Sequence, residues 1–187
     1  LWLIVCAASY LLGSVPFGYL LGRLLHRKDI RSGGSGNIGA TNALRQFGAG
    51  TGVLVLLFDL LKGFCVAWLC LRVIPACFPA LFDSPIDPFV ALLPALMVIL
   101  GHMYSIFLGG KGGKGVATAA GVFIYAAPVP LFATLIFFVL IVALTRYVSL
   151  ASITVAILLP VIAYLLHNPW QYTILSALMM LIVVYRH

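Results

Sequence analysis

Apolar and polar positions segregate into long blocks. Apolar runs cover residues 1–25, 51–74, 88–107, 116–127, 129–145, 150–166 and 170–185, and most of the charged residues fall between them. A helix crossing the hydrocarbon core needs roughly 20 apolar residues, so the pattern predicts seven membrane helices. The fourth run is short and only the Pro-Val-Pro stretch at 128–130 separates it from the fifth, so the two can also form a re-entrant hairpin. Either arrangement leaves the later segments facing the same way. The expected fold is an all-α polytopic bundle, one integral-membrane domain over residues 1–187.

Composition agrees, with 64% hydrophobic and 8% charged residues against about 25% charged in soluble domains. Cys6, Cys65, Cys70 and Cys77 show no Cys-x-x-Cys spacing, which argues against a zinc site or a disulfide framework. Most are expected to fill core space, with Cys77 exposed in an outer loop. No cleavable leader is read in the first run, which lacks a basic start and continues past Arg23 into polar sequence.

Charge sets the orientation. Arg23, Arg27, Lys28, Arg31 and Arg45 flank the first loop, Lys111 and Lys114 the third, Arg146 the fifth, and Arg186 the end, while the loop at 75–87 carries Asp83 and Asp87 and no base. By the positive-inside rule the N-terminus lies outside and the C-terminus in the cytoplasm. Topology alone accounts for Arg23, Arg27, Lys28 and Arg186. It does not account for the bases embedded in glycine-rich sequence.

Three polar stretches share that cytoplasmic face. The first, residues 31–45 (RSGGSGNIGATNALR), interleaves glycines with Ser35, Asn37, Thr41, Asn42 and Arg45, a composition suited to an anion or a polyol. The second, residues 101–118 (GHMYSIFLGGKGGKGVAT), sets Gly109, Gly110, Gly112, Gly113 and Gly115 around Lys111 and Lys114, before a helix expected near Val116. Backbone N–H groups and the helix N-terminus can there meet a phosphate. A Walker A loop is excluded, since Leu108 and Gly115 stand where Gly and Ser or Thr are required. The third, residues 146–152 (RYVSLAS), puts Ser149 and Ser152 three apart beside Arg146.

The chain has no glutamate and four aspartates, two of them in the outer loop, which argues against a carboxylate-held metal and favours a metal-free, cofactor-free reaction on anions. His102 is the available side-chain base, or else a structural histidine. The His-x-x-x-x-Asp signature of the common glycerolipid acyltransferases is missing, because Phe107 is the fifth residue after His102. Asp59 and Lys62 form an i, i+3 pair inside the second run, read as an ion pair bracing the helix, so that removing Asp59 alone harms more than removing both. Trp2, Trp68, Trp170 and Tyr185 read as interfacial anchors.

The three stretches, in this order between membrane helices, resemble the motifs of the bacterial PlsY family, the acyl-phosphate-dependent glycerol-3-phosphate acyltransferases. Residues 11–20 (LLGSVPFGYL) and 58–63 (FDLLKG) extend the resemblance through essentially the whole chain. It implies transfer of a fatty acyl group from acyl phosphate to the 1-hydroxyl of glycerol 3-phosphate, by a multi-pass enzyme of the bacterial inner membrane with a cytoplasmic active site and no nucleic-acid partner, acting as a monomer. Carried over motif by motif, it implies catalytic roles for Ser35, Arg45, Lys114 and His187. It implies substrate binding by Asn37, Thr41, Asn42, Gly109, Gly110, Lys111, Gly112, Gly113, Gly115, Thr118, Arg146, Ser149 and Ser152. On this reading the glycine loop holds the acyl phosphate through backbone N–H groups, and Lys114, Arg45, Ser152 and His187 orient glycerol 3-phosphate. With side-chain bases so scarce, the acyl phosphate's own oxygen is the preferred proton acceptor, ahead of His102. Gly110 departs from the family's usual Phe, and His187 matches the first position of a His-x-x-Asn stretch whose remainder and basic tail are expected to follow. The competing reading is a transporter of phosphate or sugar phosphate; a lipid-headgroup binder would explain the basic face alone.

Overall fold

The computed structural model describes residues 1–77 and 88–187. The expected outer-loop carboxylates Asp83 and Asp87 lie outside the described residues. Among the described residues the chain is helical and contains no strand. The first apolar run, expected as one helix, is two: α1 (Trp2–Ser14) and α2 (Phe17–His26). Pro16 supplies no N–H and disfavours helical backbone at Val15, which breaks the ladder there. The first polar stretch, expected as a loop, contains the short helix α3 (Ala40–Phe47). Next come α4 (Ala49–Trp68), continued by a π turn Leu69–Val73 and a last turn Ile74–Cys77, and α5 (Pro88–Met103). The remaining helices are α6 (Val116–Ala126), α7 (Pro128–Thr145), α8 (Val148–Leu165) and α9 (Trp170–Arg186).

Four helical stretches are long and apolar enough to cross a membrane: Trp2–His26, Ala49–Cys77, Pro128–Thr145 and Val148–Leu165. Leu92–Leu108, Val116–Ala126 and Trp170–Arg186 are shorter apolar helices. At 1.5 Å per residue, the 11 residues of α6 extend roughly 16 Å, about half a hydrocarbon core. The outward faces of α7 and α8 present Phe132, Ile136, Val139, Leu144, Val161 and Leu165, as lipid-facing surfaces do.

Within the bundle α1 packs on α5, α4 on α6, and α8 between α7 and α9. Small residues make the closest seam. A Cβ on Gly121 of α6 would collide with the Leu60 carbonyl, and one on Gly63 of α4 with the Thr118 carbonyl, so each helix contributes the glycine that admits the other's backbone. Gly121→Val is expected to separate α4 from α6 at a cost of about 1–3 kcal/mol, seen as a lowered unfolding midpoint in detergent. An unchanged midpoint would show that the seam yields. The main core, including Val66, Leu92, Val98, Ile99, Met103, Phe123 and Met179, lies between these layers.

Candidate active site

The described residues enclose a cavity of about 450 Å³ between α4 and α6 on one side and α7, α8 and α9 on the other. One end is apolar, lined by residues including Phe123, Leu135, Phe138, Leu159 and Met179. The other end gathers residues from all three polar stretches: Ser35, Asn37, Thr41, Asn42, Arg45, His102, Lys114, Gly115, Ser149, Ser152 and His187. Gly109, Gly110, Lys111, Gly112, Gly113, Thr118 and Arg146 are not part of its wall.

The starts of three helices form the polar end. Gly39 to Thr41 begin α3, Gly115 to Ala117 begin α6, and Tyr147 to Ser149 begin α8, and all of them line the cavity. A helix leaves its first four N–H groups without intrahelical partners and carries about half a positive charge at that end, so three such ends around one space favour an anion. Sequence pattern pointed to the α6 start alone. The convergence of the other two depends on how the helices pack.

Each motif is ordered by its own contacts. The Asn42 side chain, buried at 2% exposure, donates from Nδ2 to the carbonyls of Ile30 (3.0 Å), Gly33 (3.3 Å) and Asn37 (2.7 Å), and its Oδ1 accepts from Ser35 N–H (3.1 Å). Its hydrogen-bonding capacity is therefore spent on shaping the first loop. Gln46, which sequence reasoning passed over, assists from the next turn by donating to Ile30 (2.6 Å) and Gly33 (3.0 Å) carbonyls. Its spacing from Asn42 was the available signal, since i and i+4 share a helix face. Asn37 Oδ1 accepts from Gly39 N–H (2.8 Å) at the entry to α3, and Thr41 and Arg45, one turn apart, both reach the cavity. At the loop's edge Asp29 pairs with Arg31 at 2.8 Å, and that guanidinium holds its carboxyl down at about 2.

The glycine loop corrects an expectation. The N–H groups of Gly109, Gly110, Lys111, Gly112 and Gly113 donate to the carbonyls of Ile106, Ser105, Leu108, Met103 and His102. They are not free to cradle a phosphate. The last two bonds fold the loop against the end of α5, and a Cβ at Gly112 or Gly113 would strike the His102 carbonyl or its imidazole. Glycine is needed there for close packing, and the first residues of α6, Gly115 to Ala117, line the cavity instead. Thr118 also differs from expectation: its hydroxyl is buried, without a hydrogen-bond partner, under the α4–α6 seam. Arg146 and Lys111 are exposed.

Lys114 Nζ donates to Ser149 Oγ at 3.4 Å, which links the second motif to the third. Burial and the neighbouring Arg186 charge hold its ammonium below the usual lysine range. His187 Nδ1 lies 2.9 Å from the Val183 carbonyl, so Nδ1 carries the proton and Nε2 keeps a lone pair. Burial holds this imidazole below its ordinary value, favouring the neutral form.

His102 sits in a buried polar cluster. Its Nδ1 lies 2.8 Å from Lys62 Nζ and 3.3 Å from Asp59 Oδ1, and the ring edge abuts Gly113. Lys62 Nζ is 2.8 Å from Asp59 Oδ1, outside hydrogen-bond geometry, and donates to the Gly13 (3.0 Å) and Val15 (3.3 Å) carbonyls left open where α1 ends. His102 thus stands beside the buried Asp59–Lys62 ion pair, with its Nδ1 within hydrogen-bond reach of Lys62. The other polar groups of the cavity have no side-chain carboxylate beyond Asp59, and among the described residues no three His, Cys, Asp or Glu side chains gather as a metal site would need.

A sequence profile described as glycerol-3-phosphate acyltransferase matches residues 3–187. The chain is 43% identical over 185 residues to a glycerol-3-phosphate acyltransferase of Syntrophomonas wolfei, an alignment covering 99% of this chain and 87% of that one. It is similar to crystal structures of PlsY, an integral membrane glycerol 3-phosphate acyltransferase. The match to the glycerol 3-phosphate form has a TM-score of 0.88 at 38% identity, covering 100% of this chain and 88% of that one. For the lysophosphatidic acid form the TM-score is 0.85 at 36% identity, with 100% and 87% covered.

Proposed function

The chain belongs to the glycerol-3-phosphate acyltransferase family, and from that premise we propose that it transfers a fatty acyl group from an acyl phosphate to the 1-hydroxyl of glycerol 3-phosphate, releasing lysophosphatidic acid and phosphate. The observation that carries this reading is the meeting of three helix N-termini, Lys114 and Arg45 at the mouth of an apolar cavity. One end suits phosphate groups and the other an acyl chain. A phosphate-only transporter has no use for the apolar half.

In the proposed reaction the substrate hydroxyl oxygen attacks the acyl carbonyl carbon, a C–O ester bond forms, and the carbonyl carbon's bond to the phosphate oxygen breaks. The hydroxyl proton passes to the departing phosphate. Lys114, with Ser149 beside it and Ser152 one turn on, holds the glycerol phosphate, while Arg45 and the α3 and α6 N-termini stabilise charge on the leaving phosphate. The His187 Nε2 lone pair accepts from a glycerol hydroxyl and orients it. His102, committed to Lys62 and Asp59, takes no proton. We further propose that seven segments cross or enter the bilayer with the N-terminus outside, which puts the base-rich loops and the site at the cytoplasmic leaflet of a bacterial inner membrane.

The test uses the chain in lipid nanodiscs with palmitoyl phosphate, glycerol 3-phosphate and EDTA, reading lysophosphatidic acid by mass spectrometry and free phosphate in parallel. Equal release of both products, undiminished by the chelator, is the expected result. No product from the chain under these conditions would overturn the proposal.

A further inference from the structure

The last residue of α9 reaches the glycine loop from behind. Arg186 Nη2 donates to the carbonyls of Met103 (3.1 Å), Gly113 (3.4 Å) and Gly112 (3.5 Å), and its guanidinium carbon lies 5.1 Å from the centroid of the Tyr104 ring. Tyr104 is itself fixed, its carbonyl accepting from the Tyr10 hydroxyl at 2.6 Å. The guanidinium therefore gathers the end of α5 and both inner glycines of the loop, yet it is no part of the cavity wall. Its neighbours on either side of the contact, Lys114 and His187, are.

A peptide unit is planar and trans, so fixing the Gly113 carbonyl also fixes the direction of the Lys114 N–H, which points the opposite way. The Gly112 peptide is gripped from both sides in the same manner, its carbonyl by Arg186 and the following Gly113 N–H by the His102 carbonyl. Loop glycines have the widest backbone freedom of any residue, and Gly115, the α6 N-cap, has φ +82°. The Gly112 and Gly113 N–H bonds hold the loop to α5 from one side, and Arg186 adds the carbonyl-side grip at the peptide from which Lys114 departs.

We propose that Arg186 is a positioning residue for the glycerol 3-phosphate subsite: by clamping the peptide planes at 112–114 to α5 and α9, it aims Lys114 at the phosphate of glycerol 3-phosphate. This rests on the acyltransferase reading above. The substrate phosphate takes no part in bond making, so loss of its positioning weakens binding in ground and transition states alike and raises KM more than it lowers kcat.

The experiment compares Arg186→Lys and Arg186→Met with the wild type in nanodiscs, measuring kcat and KM for each substrate together with the unfolding midpoint. The expected result is a rise in KM for glycerol 3-phosphate of about tenfold or more in R186M, a smaller rise in R186K, and a KM for palmitoyl phosphate within about twofold of the wild type. If R186M does not fold, R186K alone decides. An unchanged KM for glycerol 3-phosphate in the folded variants, or turnover that falls only in proportion to folded protein, overturns the proposal. Absence of turnover in the wild type overturns the acyltransferase reading instead.

Discussion

Lys114→Ala is expected to lower kcat/KM for glycerol 3-phosphate by about 10²- to 10³-fold, the largest functional loss of any single substitution in the chain. A charge-assisted hydrogen bond to an ionised phosphate contributes about 1.5–3 kcal/mol, and more where water is partly excluded, as around this ammonium. Arg45 cannot substitute, because it approaches from α3 while Lys114 enters from the glycine loop against Ser149. The pH profile supplies a second reading. Lys114 binds phosphate only when protonated, and burial with the Arg186 charge lowers its pKa, so activity is lost as pH rises through a value below that of an ordinary lysine. In Lys114→Arg, whose side chain keeps its charge throughout the range, that alkaline limb is expected to move upward while some activity remains. Steady-state kinetics from pH 6 upward tests both, and a Lys114→Ala enzyme with wild-type KM would remove Lys114 from the subsite.

Lys62→Met is expected to be the most destabilising substitution, by about 3–5 kcal/mol, because it strands a buried carboxylate. Asp59, Lys62 and His102 are 2%, 4% and 3% exposed, so bulk water does not replace the lysine beside Asp59, and the one titratable group left beside the carboxylate among the described residues is the His102 imidazole. The same substitution removes the donor from the Gly13 and Val15 carbonyls at the α1 break. Asp59→Leu together with Lys62→Met should recover part of the loss, since the double variant buries no unpaired charge, and the two residues are expected to couple by about 1–3 kcal/mol. The measurement is a double-mutant cycle on reversible unfolding in mixed micelles. Additive effects would mean that the pair acts independently and that the carbonyl contacts of Lys62 alone brace the break.

That pair shows how far local pattern reaches. An i, i+3 Asp–Lys pair in an apolar helix is readable from spacing, and the ion contact is present at 2.8 Å. The third partner, His102, lies 40 residues further on, and the two backbone carbonyls lie 47 and 49 residues back. No periodicity brings them together. The helix boundaries behaved similarly: α7, α8 and α9 begin and end within about two residues of the apolar runs that predicted them, because a lipid-facing helix is defined by composition. The first run was misread as one helix because Pro16 is as apolar as its neighbours, and hydropathy does not register a missing N–H.

The motif residues divide along the same line. Ser35, Arg45, Lys114 and Ser149 stood out through their chemistry in an apolar chain and His187 through the family resemblance, and they share one cavity. The work of the glycines was misassigned, since a run of glycines in sequence reads equally as an anion cradle or as a surface for close packing. Which it is depends on whether an acceptor lies within reach of each N–H, and here the end of α5 supplies the acceptors. Sequence by itself determined the membrane class, the helical segments and the family, because each follows from local composition or from motifs of fixed order. Only the tertiary structure decided that three helix starts meet at one anion-favouring end, that Arg186 grips the loop and that His102 lies against the Asp59–Lys62 pair, because these depend on distances between segments far apart along the chain.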